Sequence, residues 1–336
     1  MSDKIHVLVT GGAGYIGSKM CPDLLADGYK VTAFDTCYFG KDFLPHDNPD
    51  FKLIEGDIRD AVAFRAACEG TDLVVNLACI SNDASFELDE NLSTSINMDA
   101  FEPMVVAAKE AGAKRFIYAS SSSVYGVSDA PDVTEDHPLV PLTLYNKYKG
   151  MCEPQLKKHT NENFVGVIFR PATVCGYAPR LRLDLSVNIL TNHAVTNNKI
   201  TVFGGTQLRP NLHIDDYIDA VRMLMTAPAE KVADETFNIG FENHSIANIA
   251  LMAKKVVEEE FPEKAPIEIV TTPSDDLRSY HINSEKITRT LGFTPKRTIE
   301  DAMRDLCVQF KAGNIPNSMD DDGYYNVRTL KKNEVS

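Results

Sequence analysis

Seven cysteines are present, but no two form a Cys-x-x-Cys pair and none stands at a metal-ligand spacing from a histidine. That lack excludes the usual zinc and dithiol signatures. The odd count points to reduced thiols in a cytoplasmic protein with no metal. Long apolar runs are missing too. The first hydrophobic stretch, Ile5-His6-Val7-Leu8-Val9, is too short for a signal peptide and runs straight into a glycine motif. No run approaches the length of a membrane span. Positive charge is scarce: 34 Lys and Arg stand against 48 Asp and Glu, a formal net charge of −14. Such a balance argues against a general nucleic-acid or anionic-membrane binder. A small anionic ligand is still allowed, because it needs only a local cluster of arginines. There is no internal repeat and no low-complexity linker.

What is there reads as alternating strands and helices. At 336 residues and 43% hydrophobic content the chain holds one large α/β domain or two smaller ones. The run from Ile5 to Val9 leads into Gly11, Gly14-Tyr15-Ile16 and Gly17, a Gly-x-x-Gly-x-x-Gly spacing that opens a helix. Gly11 allows the tight turn, Gly14 lets a pyrophosphate approach the backbone, and Gly17 permits close helix–strand packing. The helix N-terminus offers free N–H groups to the phosphates. The next strand ends on Asp35, whose carboxylate suits adenosine ribose hydroxyls and repels a 2′-phosphate, predicting NAD over NADP. Asp57-Ile58 follows a third strand, where Asp57 either meets the adenine or caps the next helix. The apolar strand Leu73-Val74-Val75-Asn76 with Leu77-Ala78 continues the pattern, as a parallel strand covered on both faces should.

A second constellation runs from Ser120 to Lys149. Four serines, Ser120 to Ser123, follow the strand Arg115–Ala119, and Tyr145 and Lys149 stand four apart at the start of a helical pattern. Residues so spaced share a helix face. An ammonium beside a phenol favours the phenolate, and a serine hydroxyl from the strand end can share the same substrate oxygen. This is machinery for moving a proton on and off an alcohol while a hydride leaves its carbon. Helices are predicted over 91–112 and 145–160, each with an interior proline, Pro103 and Pro154, that has no functional account. Val165–Phe169 completes a sheet of about six parallel strands.

Together, Gly-x-x-Gly-x-x-Gly, Ser-Ser-Ser-x-Val-Tyr-Gly and Tyr-x-x-x-Lys resemble the extended short-chain dehydrogenase/reductases, and among them the nucleotide-sugar epimerases and dehydratases. The resemblance spans residues 4–312. It implies a Rossmann-type doubly wound parallel sheet with a smaller α/β C-terminal substrate domain. The NAD-binding domain would occupy residues 1–175. The substrate domain would occupy mainly 176–336, with parts near 200–240 returning to the first domain. It further implies Tyr145 as acid/base, Lys149 on the nicotinamide ribose and lowering the tyrosine pKa, and Ser121 as third member, with Ser122 its rival. Dehydratases of this family carry an Asp-Glu pair where this chain has Ser122 and Ser123, which argues against 4,6-dehydration.

After Thr173 the alternation weakens. Arg180 and Arg182, in a loop before a helix over 184–197, suit a diphosphate or a solvated loop equally; the resemblance favours the nucleotide. It also implies that Asn188 touches the diphosphate, that Arg209 and Arg278 bind the phosphates, and that Tyr280 borders the sugar. Pro210 after Arg209 departs from the family pattern. His213 reads as structural, and Asp215-Asp216 as the start of a helix over 216–227. A strand Glu235–Ile239 and helices over 246–260, 284–291 and 298–312 follow. The tail from Gly313 reads as a surface strap or partly disordered. The resemblance implies a homodimer, for which helix 91–112 offers a stripe of Met98, Phe101, Val105 and Ala108, a pattern that equally suits packing inside one subunit. The leading reading is an NAD-dependent epimerase of a nucleoside-diphosphate sugar acting through C4. A 4-dehydrogenase or 4-ketoreductase uses the same residues, and a non-catalytic regulatory protein is the reading from another class.

Overall fold

The computed structural model describes residues 4–128, 130–274 and 279–333. The apolar runs become strands β1 (His6–Thr10), β2 (Lys30–Asp35), β3 (Phe51–Glu55), β4 (Leu73–Asn76), β5 (Arg115–Ala119), β6 (Val165–Pro171), β7 (Thr173–Cys175), β8 (Lys199–Phe203), β9 (Leu208–His213), β10 (Thr236–Ile239), β11 (Glu242–Ser245) and β12 (Glu268–Thr272). The helices are α1 (Tyr15–Ala26), α2 (Ala61–Cys68), α3 (Asp83–Phe86), α4 (Glu90–Thr94), α5 (Phe101–Glu110), α6 (Leu144–His159), α7 (Ser186–Asn197), α8 (Ile214–Thr226), α9 (Ala229–Val232), α10 (Ile246–Glu260), α11 (Glu285–Leu291), α12 (Ile299–Lys311) and α13 (Asn326–Lys332).

Seven strands form one parallel sheet in the order β10-β6-β5-β4-β1-β2-β3. Alternate residues of a strand face opposite sides. Val7, Val9, Val75 and Ile117 therefore pack with α1 and α8, while Leu8, Val74 and Phe116 pack with α2, α5 and α6. The registers Thr10↔Phe34, Thr10↔Asn76 and Asn76↔Tyr118 end these strands level. Gly11, Asp35, Leu77 and Ala119 consequently emerge side by side along one edge. The strand order reverses beside β1, and a crevice opens at that point.

The sheet has seven strands rather than six. β10 pairs with β6 from Thr236↔Ile168 to Ile239↔Pro171, after an excursion through β7, β8 and β9. Its sequence has strand character, but the pairing partner is set by that excursion. The predicted helix 91–112 is interrupted by a wide π turn over Ser95–Asp99, where the Ala100 N–H donates to the Ser95 carbonyl (3.1 Å). Pro103 has no N–H to return to Asp99, and the α-helical ladder resumes with Met104 donating to Ala100 (3.0 Å). The stripe on α5 faces inward: Phe101 lies 4.5 Å from the Tyr118 ring, and Val105 and Ala108 are buried in the same core. It is packing within the subunit. Pro154 sits inside α6 without ending it.

Beyond the sheet, β7 and β9 pair in parallel with β11 antiparallel to β9, and β8 pairs in parallel with β12. α7, α10 and α12 close a second core around Leu190, Ile200, Ile249, Val256 and Met303, which also takes in Cys175. α8 starts at Ile214, two residues before the predicted start, because the His213 ring Nδ1 accepts the Asp215 N–H (3.1 Å) and caps it. Asp216 then turns inward to Arg297 (2.7 Å). The described part of the tail forms regular structure, ending in α13. It folds back across the molecule and buries Leu330 in the core on the α2 and α5 side of the sheet.

Candidate active site

A cavity of about 980 Å³ lies over the carboxyl edge of the sheet. Its floor at one end is the glycine turn. Gly11 has φ +74°, and a Cβ there would lie 2.9 Å from the Ala78 nitrogen; a Cβ on Gly17 would lie 2.3 Å from the Gly11 carbonyl oxygen. Only glycine lets β1, β4 and α1 approach this closely. Gly14, Tyr15, Ile16, Ile58, Leu77 and Ala78 line the same end. The Tyr15 hydroxyl is committed elsewhere, donating to the Gly176 carbonyl (2.6 Å).

Asp35 also lines this end, its carboxylate accepting the N–H groups of Ala13 (2.9 Å) and Cys37 (2.7 Å). Burial raises its pKa, and those two hydrogen bonds oppose the rise. Asp57 does not cap α2. Asp60 does, accepting from Val62 and Ala63, while Asp57 holds Arg59 (2.6 Å) at the cavity rim. Burial raises the Asp57 carboxyl, but the Arg59 hydrogen bonds outweigh it and leave its pKa below the usual value.

At the other side of β1, the serine run turns as a short 3-10 helix over Ser122–Tyr125. Ser121 Oγ lies 2.7 Å from Ser123 Oγ, and Ser123 donates to Asn146 Oδ1 (2.5 Å). Since Ser123 has given its proton to Asn146, Ser121 donates to Ser123. Beneath them Ser120 donates to Glu153 (2.6 Å), which forms a buried two-point pair with Arg170 (2.9 and 2.6 Å). Arg170 reaches on to the Tyr125 hydroxyl (2.7 Å), which donates to Asn238 (2.7 Å). The floor under the serines is thus a satisfied polar network tying β6, α6 and β10 together. Ser123, Asn146 and Glu153 carry no motif of their own in sequence. The one signal for Asn146 is its place directly after Tyr145.

Tyr145 and Lys149 rise from the first turns of α6, whose cap Thr143 accepts the Asn146 N–H (3.3 Å) and donates to Asp83 (2.6 Å). Both line the cavity with Ser121 and Ser122. The Lys149 ammonium donates to the Ala119 carbonyl (2.8 Å) and sits 5.3 Å from the Tyr118 ring centre. Burial pushes the Tyr145 phenol well above its ordinary range, and Cys79 and Asp83 push the same way. Against expectation, the cation that chiefly opposes this is Arg182 rather than Lys149.

Arg182 donates to Asp184 (2.9 Å) and Ser81 (3.1 Å), and its Nη2 is buried without an acceptor. Arg180 is buried too, its Nη2 donating to Asn326 (2.6 Å) while its Nε has no acceptor. Burial brings the Arg180 guanidinium down to about 9, the neighbouring charge of Arg182 adding to the fall. Arg209 and Tyr280 meet on the far wall, guanidinium carbon 5.5 Å from the ring centre. Arg278 lies outside the described residues. Asn188 is not on the wall: it is fully buried, accepting from the Gly176 N–H (3.0 Å) and donating to the Gly176 and Arg182 carbonyls (3.3 and 2.8 Å). Its amide holds the arginine loop in shape. Ser81-Asn82-Asp83, a loop after β4 that the sequence offers either to a ligand or to solvent, lines the wall, whereas Asn326, from the tail, is a wall residue that sequence reasoning missed.

The edge therefore carries a dinucleotide-shaped glycine turn at one end and a serine, a tyrosine and a lysine at the other, with arginines above both. That arrangement suits proton transfer at an alcohol beside a hydride acceptor. The model of the NAD dependent epimerase/dehydratase family matches residues 7–240. The chain is 30% identical over 318 residues to dTDP-D-glucose 4,6-dehydratase of Mus musculus, covering 89% of this chain and 86% of that protein. It is 27% identical over 314 residues to UDP-glucose 4-epimerase of Lactobacillus helveticus, covering 87% and 92%. The crystal structure of the Thermotoga maritima UDP-glucose 4-epimerase with UDP-glucose superimposes with a TM-score of 0.82 at 23% identity, covering 92% of this chain and all (100%) of that one. At that identity the likeness is one of fold.

Proposed function

Because the chain belongs to the NAD dependent epimerase/dehydratase family, we propose that it inverts a nucleoside-diphosphate sugar at C4 by transient oxidation. NAD is the cofactor of the family. The residues present fit it: the Gly11–Gly17 turn admits a phosphate backbone, Asp35 offers a carboxylate that would suit the adenosine ribose hydroxyls, and a buried guanidinium nitrogen lacks an acceptor. When bound, NAD supplies the acceptor for the C4 hydride.

The chain's own residues handle the proton. Tyr145 takes it from the C4 hydroxyl, and Arg182 moderates the burial that would otherwise keep the phenol protonated. Ser121, its oxygen held by the Ser123 backbone N–H (3.2 Å), turns its hydroxyl hydrogen bond from Ser123 to the substrate oxygen when that stronger acceptor arrives. Lys149, fixed by the Ala119 carbonyl, would bind the nicotinamide ribose. Arg209 and Tyr280, on the far wall, would bind the sugar nucleotide.

The observation that carries the epimerase reading is the serine loop. Where dehydratases of this family place a carboxyl pair, Ser122 is buried and Ser123 is tied to Asn146, so neither gives or takes a proton as a carboxylic acid would. One observation favours a second reading. Asp83 lines the same cavity and acts on Tyr145, so a carboxyl acid outside the serine loop is at hand for dehydration. If instead the keto sugar leaves, the same set makes a 4-dehydrogenase, or in reverse a 4-ketoreductase.

The test is to denature purified protein, identify the released nucleotide, and then incubate fresh protein with UDP-glucose and dTDP-glucose in heavy water. Retained NAD and a C4 epimer without deuterium at C5 support the proposal. A 4-keto-6-deoxy sugar carrying deuterium at C5 would replace it with the dehydratase.

A further inference from the structure

Arg180 packs against α1 and against the loop after β2. Its backbone N–H donates to Ser18 Oγ (3.1 Å) on α1, the helix that the glycine turn opens. Its guanidinium lies 4.0 Å from the ring centre of Phe39, in the loop after β2. After burial, the charges that act on it are those of Arg182 and Asp184, then of Asp35 and Tyr15. These neighbours bracket the stretch of cavity between the α1 N-terminus and the end of β2. On this motif that stretch receives the pyrophosphate and the adenosine-side ribose.

The guanidinium is also incomplete. The residue is 4% exposed, Nε has no acceptor, and among the described residues no carboxylate oxygen lies within 4.0 Å of it. A buried cation with no carboxylate in contact and with its Nε unpartnered is unfavourable on both counts, and an anionic oxygen at the helix N-terminus would relieve both. One contact aims it. Asn326 Oδ1 accepts from Nη2, and Asn326 is itself anchored on two sides, its N–H donating to Asp184 (2.9 Å) and its Nδ2 to Ser81 (3.1 Å).

We infer that Arg180 is a ligand of the cofactor's pyrophosphate rather than of the sugar nucleotide, and that Asn326 on α13 holds its guanidinium in place for that contact. The C-terminal strap is then part of the cofactor site. It crosses from the end of β2, where Asn333 donates to the Tyr38 carbonyl (2.7 Å), to the arginine loop, where Leu183 donates to the Tyr324 carbonyl (2.9 Å). The inference rests on the NAD reading above but on neither the epimerase nor the dehydratase form of it.

Calorimetric titration of the full chain, freed of bound nucleotide, tests it without turnover. The probes are ADP-ribose, adenosine and UDP. Arg180→Met keeps the stem over Phe39 and removes the charge; it is expected to weaken ADP-ribose binding on the order of ten-fold or more, leaving adenosine and UDP unchanged. Arg180→Lys should recover part of the loss. Asn326→Ala should weaken ADP-ribose alone, by less. Weakened UDP binding with unchanged ADP-ribose would return Arg180 to the sugar nucleotide and overturn the inference. An equal loss of adenosine and ADP-ribose would also overturn it, because the pyrophosphate would then play no part. If the unaltered chain binds no ADP-ribose, the cofactor reading itself falls, and that result is separate from any effect of the variants.

Discussion

Tyr145 lies in a site that resists ionisation, with burial, Cys79 and Asp83 all raising the phenol and Arg182 opposing them. Proton abstraction needs the phenolate, so the oxidative half-reaction should speed up as pH rises through the phenol pKa. Removing the opposing charge in Arg182→Gln raises that pKa further, and the rising limb of log kcat against pH should move to higher pH. A limb that stays in place would contradict that role of Arg182. Tyr145→Phe should lower kcat by about 10²–10⁴-fold with NAD still bound, read by steady-state kinetics beside the nucleotide content of the purified variant. At this scale the sequence was legible where chemistry leaves a motif: Gly11, Asp35, Tyr145 and Lys149 are marked by spacing alone, and all line one cavity. It was not legible where a role depends on which way a side chain turns. Asn188 turned into the protein, and the Arg180 guanidinium turned to Phe39 and Asn326.

Among the elements, α6 and β6 are joined under the serines by the Glu153–Arg170 pair, both side chains nearly inaccessible at 5% and 7%. Glu153→Ala strands a buried guanidinium and should destabilise the chain by about 3–5 kcal/mol, measured as a shift in the urea midpoint at unchanged slope. A shift below about 1 kcal/mol, the worth of an exposed pair, would contradict the account of that floor. The helices were largely legible, α10 to the residue, because an apolar stripe and a serine cap are local signals. The break in helix 91–112 was not, since Pro103 announces a defect without saying that a π turn will absorb it. The tail was the least legible element. Its Asp320-Asp321-Asp322 run reads as solvated, and nothing near Asn326 in the sequence names its partners Asp184, Arg180 and Ser81.

For the molecule as a whole, a net charge of −14 surrounds a cavity whose walls carry Arg180, Arg182, Arg209 and Lys149. That contrast fits one small polyanion held inside rather than an extended anionic partner outside. Among the described residues no helix is long and apolar enough to cross a membrane. The family resemblance proposes a homodimer, and light scattering should return about twice the chain mass of 37.1 kDa; the chain mass itself would remove the dimer. The parallel sheet was legible from alternation, and the strand at Glu235–Ile239 was too, but its place beside β6 was not, because β10 reaches β6 only after the chain has built β7 to β9 elsewhere. The central claim is that the hydride leaves C4 and returns there. It is tested most directly by turning over a nucleoside-diphosphate hexose labelled with deuterium at C4 and locating the label in the product. The account predicts a C4 epimer with the deuterium still on C4. Deuterium found on C6 of a 4-keto-6-deoxy sugar, or lost to released NADH, would contradict it.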